Sequence, residues 1–389
     1  MVLKKKFVEK TTYELARERV ADMFTRFDVV SVLFSGGKDS TAVLNLVLEE
    51  ANRIGYGPVD VVFYDEEGIW DDTVQYVRRI SQRKDVSLRW YCMPFKNRNA
   101  CSTKQPYWYP WAPESKHLWC RPMPPEGITE IANFPTDPNN RAPAYQSNNL
   151  FFPDKTLSYG VAIGLRAQES LRRLRVVSMR TEDNWLAPDS NAPHVTMCKP
   201  IYDWLVGDVW TAPTKFGWDY NVIYDKYTRA GITPTKQRIS PPFAEEPLRA
   251  LKYFGLLEPA IWEKMLRRVP GAATAARYSE SPLYGLHNVT AASHAGTGPD
   301  YWQAQIREAI ERHPADIRAK LAARIESAIR THFKKNIGIP IPDYGKGELI
   351  SWERLYQIAY RGDLRRRKET MSDSAWSDRK VIGSKGVKK

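Results

Sequence analysis

No run of 18 apolar residues occurs anywhere in the 389-residue chain, which argues against a membrane-spanning helix. The opening Met1-Val2-Leu3-Lys4-Lys5-Lys6 lacks the hydrophobic stretch of a secretory signal, so a cytoplasmic protein without membrane contact is expected. Cysteine is scarce. Cys92, Cys101, Cys120 and Cys198 are too few and too scattered for a disulfide framework in a chain of this length, and reduced thiols are expected. None of the six histidines stands in a motif that suggests acid–base work, and no internal repeat or heptad pattern is present. Acidic residues fall short of basic ones, 45 against 58, leaving a net charge of +13. That surplus favours a polyanionic partner, although charge alone carries no recognition code.

What the chain does contain is concentrated in residues 30–48. The apolar run Val29 to Phe34 suits a strand of a covered parallel sheet, and Ala42, Val43, Leu46 and Val47 recur at helical spacing. Ser35-Gly36-Gly37-Lys38-Asp39-Ser40 lies between them. Paired glycines let the backbone turn sharply and present N–H groups to phosphate oxygens at the positive end of the following helix. Ser35 and Ser40 add hydroxyls, Lys38 neutralises phosphate charge, and Asp39 is placed to hold Mg²⁺. The plain alternative is a glycine turn joining a strand to a helix. A Walker A loop does not fit, because the residue five before Gly37 is Val32.

Around this centre the pattern is βαβ. A capping box at Thr11 and Glu14 predicts a helix, Asp60 to Tyr64 a second strand, Asp72 to Ser81 a helix, and Val86 to Cys92 a third strand. Asp65, at a strand's carboxyl end, is the candidate nucleotide or metal contact, with a turn-forming role as the alternative. From residue 93 to about 156 regularity gives way to an insert rich in proline and aromatics, including Trp108, Trp111 and Trp119 interleaved with Lys104, Lys116 and Arg121. These rings suit either base stacking or a small core under a long loop. Tyr159 to Arg173 reads as a strand, a turn and a basic helix start. Arg166, Arg172 and Arg173 suit phosphate, with Glu169 holding one of them. The expected organisation is an α/β domain over 1–240, a helical subdomain over 241–360 and a basic tail over 361–389. That tail holds ten basic and four acidic residues, +6 in all. Its run Arg365 to Lys368 suits a nucleic-acid backbone, DNA or tRNA, or is simply solvated.

The hexapeptide Ser35–Ser40 resembles the PP-loop of the ATP pyrophosphatases, a superfamily that includes the phosphoadenosine phosphosulfate (PAPS) reductases. Gly164, Arg166, Glu169, Ser170 and Arg173 resemble the second substrate-binding motif of PAPS reductase-like proteins. The likeness continues through Lys199 to Trp204, Asp208 to Trp210, and Tyr220 to Asp225, covering roughly residues 10–240. It implies a Rossmann-like, adenine nucleotide alpha-hydrolase fold that binds ATP with Mg²⁺ and releases pyrophosphate after attack on the α-phosphate. Lys38, Asp39 and Arg166 would be catalytic, and Ser35, Gly36, Gly37, Ser40, Asp65, Gly164, Glu169, Arg172 and Arg173 would bind nucleotide. The chain departs from the reductases in having no cysteine after Cys198, where they carry a nucleophilic cysteine near the C-terminus. Ala230 to Arg238 stands where they carry a Gly-Cys-x-x-Cys-Thr element. Standard sulfite release is therefore not expected. Relatives that thiolate tRNA or DNA raise an iron–sulfur cluster or persulfide on Cys92, Cys101, Cys120 and Cys198, although no compact ligand spacing is present. The resemblance also leaves open a nucleotide sensor working with a separately encoded partner, often ParB-like, or a sulfate-activating enzyme.

Overall fold

A computed structural model of the chain describes residues 8–364 except 103, 136, 138–139, 179–182, 235–236, 240–241, 245–250, 279–295 and 345–349. Over these residues the chain divides into two compact units. One draws on Met1–Asn97, Tyr109–Pro242 and Ala250–Arg268, and the other on Arg98–Trp108, Phe243–Arg249 and Val269–Lys389. Among the described residues no helix is long and apolar enough to cross a membrane.

The first unit begins with α1 (Thr12–Arg26), whose capping box forms as expected between Thr11 and Glu14. Its inner face buries Ala16, Val20 and Met23, one residue per helical turn. β1 (Val29–Phe34) follows. It pairs in parallel with β2 (Val59–Tyr64) on one side and β6 (Tyr159–Ala162) on the other, which explains its nearly unbroken apolar composition. α2 (Lys38–Ile54) ends at Gly55 in the left-handed conformation, and α3 (Asp71–Ser81) leads to β3 (Val86–Tyr91). Two-residue strands β4 (Asn97–Arg98) and β5 (Tyr107–Trp108) and the short helix α4 (Asn148–Phe151) lie within the insert.

Beyond β6 come α5 (Leu171–Ser178), β7 (Leu186–Pro188), β8 (Val195–Cys198), α6 (Val206–Phe216) and α7 (Ile223–Arg229). The sheet order is β3-β2-β1-β6-β8-β7, parallel except for β7, which runs antiparallel to β8. The chain moves outward from β1 to β3 and then restarts beside β1 with β6. This reversal between β1 and β6 is the place where open α/β sheets receive ligands, beyond the strands' carboxyl ends. The mostly parallel, Rossmann-like α/β architecture is thus the one expected.

The insert's rings form a core. Trp111 is buried and packs edge-on against Trp119 at 5.2 Å, and Phe95 meets Tyr64, Phe134 and Phe151. The Arg121 guanidinium lies 4.9 Å from the Trp111 ring centroid. In the second unit Trp108 is buried against Phe243. Base stacking by Trp108 and Trp111 is therefore corrected, because packing consumes the faces a base would need.

The sequence suggests one helix over Glu246 to Arg268, but the described part is two, α8 (Leu251–Leu257) and α9 (Pro259–Arg268). The break falls at Glu258-Pro259, because proline lacks the N–H that a continuing helix requires. Both belong to the first unit. The second unit holds α10 (Ala272–Tyr278), α11 (Pro299–Glu311), α12 (Ala315–Lys335) and α13 (Trp352–Arg361). Trp302, Leu321, Ile325, Leu355 and Ile358 form its core. Ser351 caps α13 and Gly362 ends it in the left-handed conformation. The basic run Arg365 to Lys368 lies outside the described residues.

Candidate functional site

At the carboxyl end of β1 the chain turns through Ser35, Gly36 and Gly37 into α2. Gly36 has φ +72°, and a Cβ there would stand 2.8 Å from Thr73 Cγ2, so conformation and space both call for glycine. Hydrogen bonds fix the turn from within. Ser35 N donates to Ser40 Oγ at 3.2 Å, and Ser40 Oγ donates to the Gly37 carbonyl at 3.0 Å. Asn221, just before α7, and Tyr224, in its first turn, hold it from outside. Asn221 Nδ2 donates to the Gly36 carbonyl at 3.0 Å, and Lys38 N donates to the Tyr224 hydroxyl at 2.9 Å.

The loop after β6 meets this turn directly. A Cβ on Gly164 would lie 2.6 Å from Asp39 C and from Ser40 N, so glycine at 164 is what lets the two loops touch. Arg166, 3% exposed, donates through Nε to Asp39 and through Nη1 to Gln168 at 3.3 Å. Lys38 Nζ lies 3.3 Å from Asp39 Oδ2 and donates to the Gln237 carbonyl at 3.1 Å. Burial pulls the Lys38 ammonium below its usual pKa; Asp39 opposes that, while Arg166 and Arg238 reinforce it. Glu169 pairs with Arg173 and stands 4.0 Å from Arg166.

Ser35, Gly37, Lys38, Asp39, Ser40 and Gly164 line a cleft of about 160 Å³, together with Leu33, Glu169, Arg173, Tyr224, Arg238 and Ile239. Lys38, Arg173 and Arg238 thus stand around the cleft with Asp39 and Glu169, and Arg166 lies behind Asp39. The volume is below the roughly 300–1,000 Å³ of sites that enclose a whole ligand and suits a phosphate-sized portion of one. Lys38, Asp39 and Ser40 of the first turn of α2 line it, at the end of the helix whose N–H groups lack intrahelical partners; that of Lys38 is taken by Tyr224. Thus the structure brings together Ser35 to Ser40, Gly164, Arg166, Glu169 and Arg173. The side chain of Arg172 lies outside the described residues.

Asp65 is a correction. It is fully buried, and its carboxylate accepts from Trp90 Nε1 at 2.8 Å, Trp111 Nε1 at 3.3 Å, Glu67 N at 2.9 Å and the Arg121 guanidinium. Those donors occupy its lone-pair directions, leaving nothing for a nucleotide or metal. Beside it Glu67, also fully buried, takes Arg268 Nε at 2.9 Å, Trp111 N at 2.8 Å and Cys120 N at 3.0 Å. The end of β2 is thereby closed by the insert and α9.

The cysteines are a second correction. All four are buried thiols distributed over both units, and among the described residues no three His, Cys, Asp or Glu side chains form a metal-binding group. Burial pushes Cys101 and Cys198 up to about 12, and Cys92 and Cys120 well above the ordinary thiol range. Thiols held this high are poor nucleophiles, which does not suit a persulfide carrier, and the described residues form no cluster site with them.

Tyr224, Asn221, Gln237 and Arg238 were not singled out as site residues. Tyr220 to Asp225 carries a signal, as part of the stretch that resembles the PAPS reductase-like proteins. Gln237 and Arg238 carried none, because they sit where the sequence departs from the reductase cysteine element.

The family model of the phosphoadenosine phosphosulfate reductase domain matches residues 29–238, just over half of the chain. The chain belongs to this family. A second model, of a domain of unknown function (DUF3440), matches residues 231–360 of the PAPS reductase-like chain. The uncharacterized protein YbdN of Escherichia coli strain K12 is 28% identical over 367 residues, which are 90% of this chain and 88% of YbdN. Among solved structures, Candida glabrata FMN adenylyltransferase in complex with FMN and an ATP analog overlaps 51% of this chain and 53% of its own, at 13% identity and TM-score 0.32. The chain thus spans about half the length of that enzyme. The U34-tRNA thiolase NcsA of Methanococcus maripaludis with its [4Fe-4S] cluster overlaps 69% of this chain and 79% of its own, at 11% identity and TM-score 0.32.

Proposed function

We propose that this PAPS reductase-like protein binds ATP through Ser35 to Ser40 and transfers the adenylyl group to an acceptor, releasing pyrophosphate. An acceptor oxygen attacks the α-phosphorus, the bond to the bridging oxygen breaks, and its electron pair leaves with pyrophosphate. One observation carries this reading: the N-terminus of α2, Lys38 and the Arg166–Asp39 pair converge on one cleft at the sheet's switch point. Backbone N–H groups and cations fixed before the ligand arrives stabilise the charge that develops in an in-line displacement.

Asp39 is a single carboxylate beside the cradle, a donor that suits a Mg²⁺ ion arriving with phosphate oxygens. There the ion would neutralise phosphate charge. Lys38 would hold phosphate oxygens, and Arg166 would do the same once Asp39 releases it. Reduction through a protein thiol is disfavoured by the burial of all four thiols. The net charge of +13 favours nucleic acid, DNA or tRNA, as the acceptor class.

The test is pyrophosphate release from ATP and Mg²⁺, alone and with single-stranded DNA, double-stranded DNA or tRNA. The wild-type protein should release pyrophosphate with one of these acceptors, and Lys38→Ala should lower the rate by about 10² or more while melting at nearly the same temperature. Equal rates in wild type and variant would overturn the proposal.

A further inference from the structure

Tyr224 lies on α7, 3% exposed, edge-on to Trp210 with ring centroids 5.1 Å apart. The Lys38 ammonium is 5.8 Å from its ring centroid. The residue lines the cleft, and its hydroxyl oxygen accepts the Lys38 backbone N–H at 2.9 Å. A phenol has one O–H to donate as well as lone pairs to accept with. Among the described residues Tyr224 donates to no acceptor, so its proton is left for the cleft.

The geometry points to the Tyr224 hydroxyl as a direct donor to a phosphate oxygen bound at Ser35 to Ser40. This rests on the phosphate-site reading above. The relay Lys38 N–H to Tyr224 oxygen, then Tyr224 O–H to anion, runs in one direction, and accepting the amide proton makes the phenol a stronger donor. The positive end of α2 is in this way extended one hydrogen bond into the cleft. Burial holds the phenol's pKa above its usual value, so the group remains a neutral donor throughout the physiological range. Tyr224 would then recognise phosphate directly as well as holding the Lys38 amide.

Calorimetric titration with inorganic pyrophosphate tests this on wild type, Tyr224→Phe and Lys38→Ala. Phenylalanine keeps the ring contacts and removes the relay, so Tyr224→Phe should bind about ten-fold more weakly, with Lys38→Ala weaker still. If Lys38→Ala loses affinity while folded Tyr224→Phe binds as tightly as wild type or more tightly, the hydroxyl merely caps the Lys38 amide and the inference fails alone. If neither variant loses affinity, the phosphate-site reading falls with it. A fluorotyrosine placed at 224 keeps the side chain's shape and strengthens its O–H as a donor, so it provides a second test if Tyr224→Phe does not fold. It should tighten pyrophosphate binding, and equal or weaker binding contradicts the inference.

Discussion

After β1 and β6, Asp39, Glu169, Arg166 and Arg173 stand around a cleft. After β2, in the same sheet and the same unit, Asp65 and Glu67 are enclosed by Arg121, Arg268, Trp90 and Trp111. Both places pair carboxylates with arginines at strand ends, where α/β sheets receive ligands. They differ in saturation. Asp65 accepts from four donors and has no exposed surface. The Asp39 side chain keeps 14% of its surface open and lines the cleft. A carboxylate at a strand end becomes available to a ligand only where its own protein leaves donors and acceptors unmatched; elsewhere the same chemistry fastens one segment to another.

The largest effect that would test this contrast is at the closed end. Glu67→Ala removes the carboxylate that the buried Arg268 guanidinium pairs with and orphans the Trp111 and Cys120 amides. A loss of about 3–5 kcal/mol in unfolding free energy is expected, measurable by urea denaturation, and a loss below about 1 kcal/mol would contradict a fastening role. At the open end, Gly164→Ala drives a methyl group into the backbone of Asp39 and Ser40. Displacing the cradle by a fraction of an ångström to one ångström should weaken pyrophosphate binding by up to roughly a hundred-fold, and unchanged affinity would mean that the contact between the two loops is dispensable.

The smallest effect concerns Glu258, whose carboxylate accepts the Asp71 N–H at 3.1 Å through both oxygens, at the start of the helix that follows β2. Burial raises its pKa to about 7, with Asp72 adding to the rise and Lys226 opposing it. A carboxyl whose folded-state pKa lies above the ordinary value favours folding while protonated, and that contribution is lost as pH rises from about 4.5 through 7. Glu258→Gln should flatten this part of the melting-temperature profile; a variant profile that falls as steeply as wild type between pH 5 and 8 would remove the group from consideration.

Much of the open site was legible because its parts are local. The β1 run, the glycine pair and the α2 periodicity lie within Val29 to Leu48, and Gly164 to Arg173 is a second compact stretch. The capping box at Thr11 was equally readable, being a four-residue pattern. The closed end was not readable. Three of the four donors that saturate Asp65 come from 25, 46 and 56 residues away, and the arginine on Glu67 from 201, separations that no periodicity encodes. Tyr224, 186 residues from the Lys38 amide that it accepts, was hidden for the same reason. The antiparallel edge was missed because β7 is three residues long and ends in proline, too short for alternation to register.

The central claim, that ligand phosphates belong to the β1–β6 cleft and not to the end of β2, is tested most directly by titrating ATP into wild type, Lys38→Ala and Asp65→Asn. The account predicts that Lys38→Ala loses ATP affinity at nearly unchanged melting temperature. Asp65→Asn should melt at a lower temperature and, where folded, bind ATP as wild type does. Full affinity in Lys38→Ala together with lost affinity in folded Asp65→Asn would contradict it.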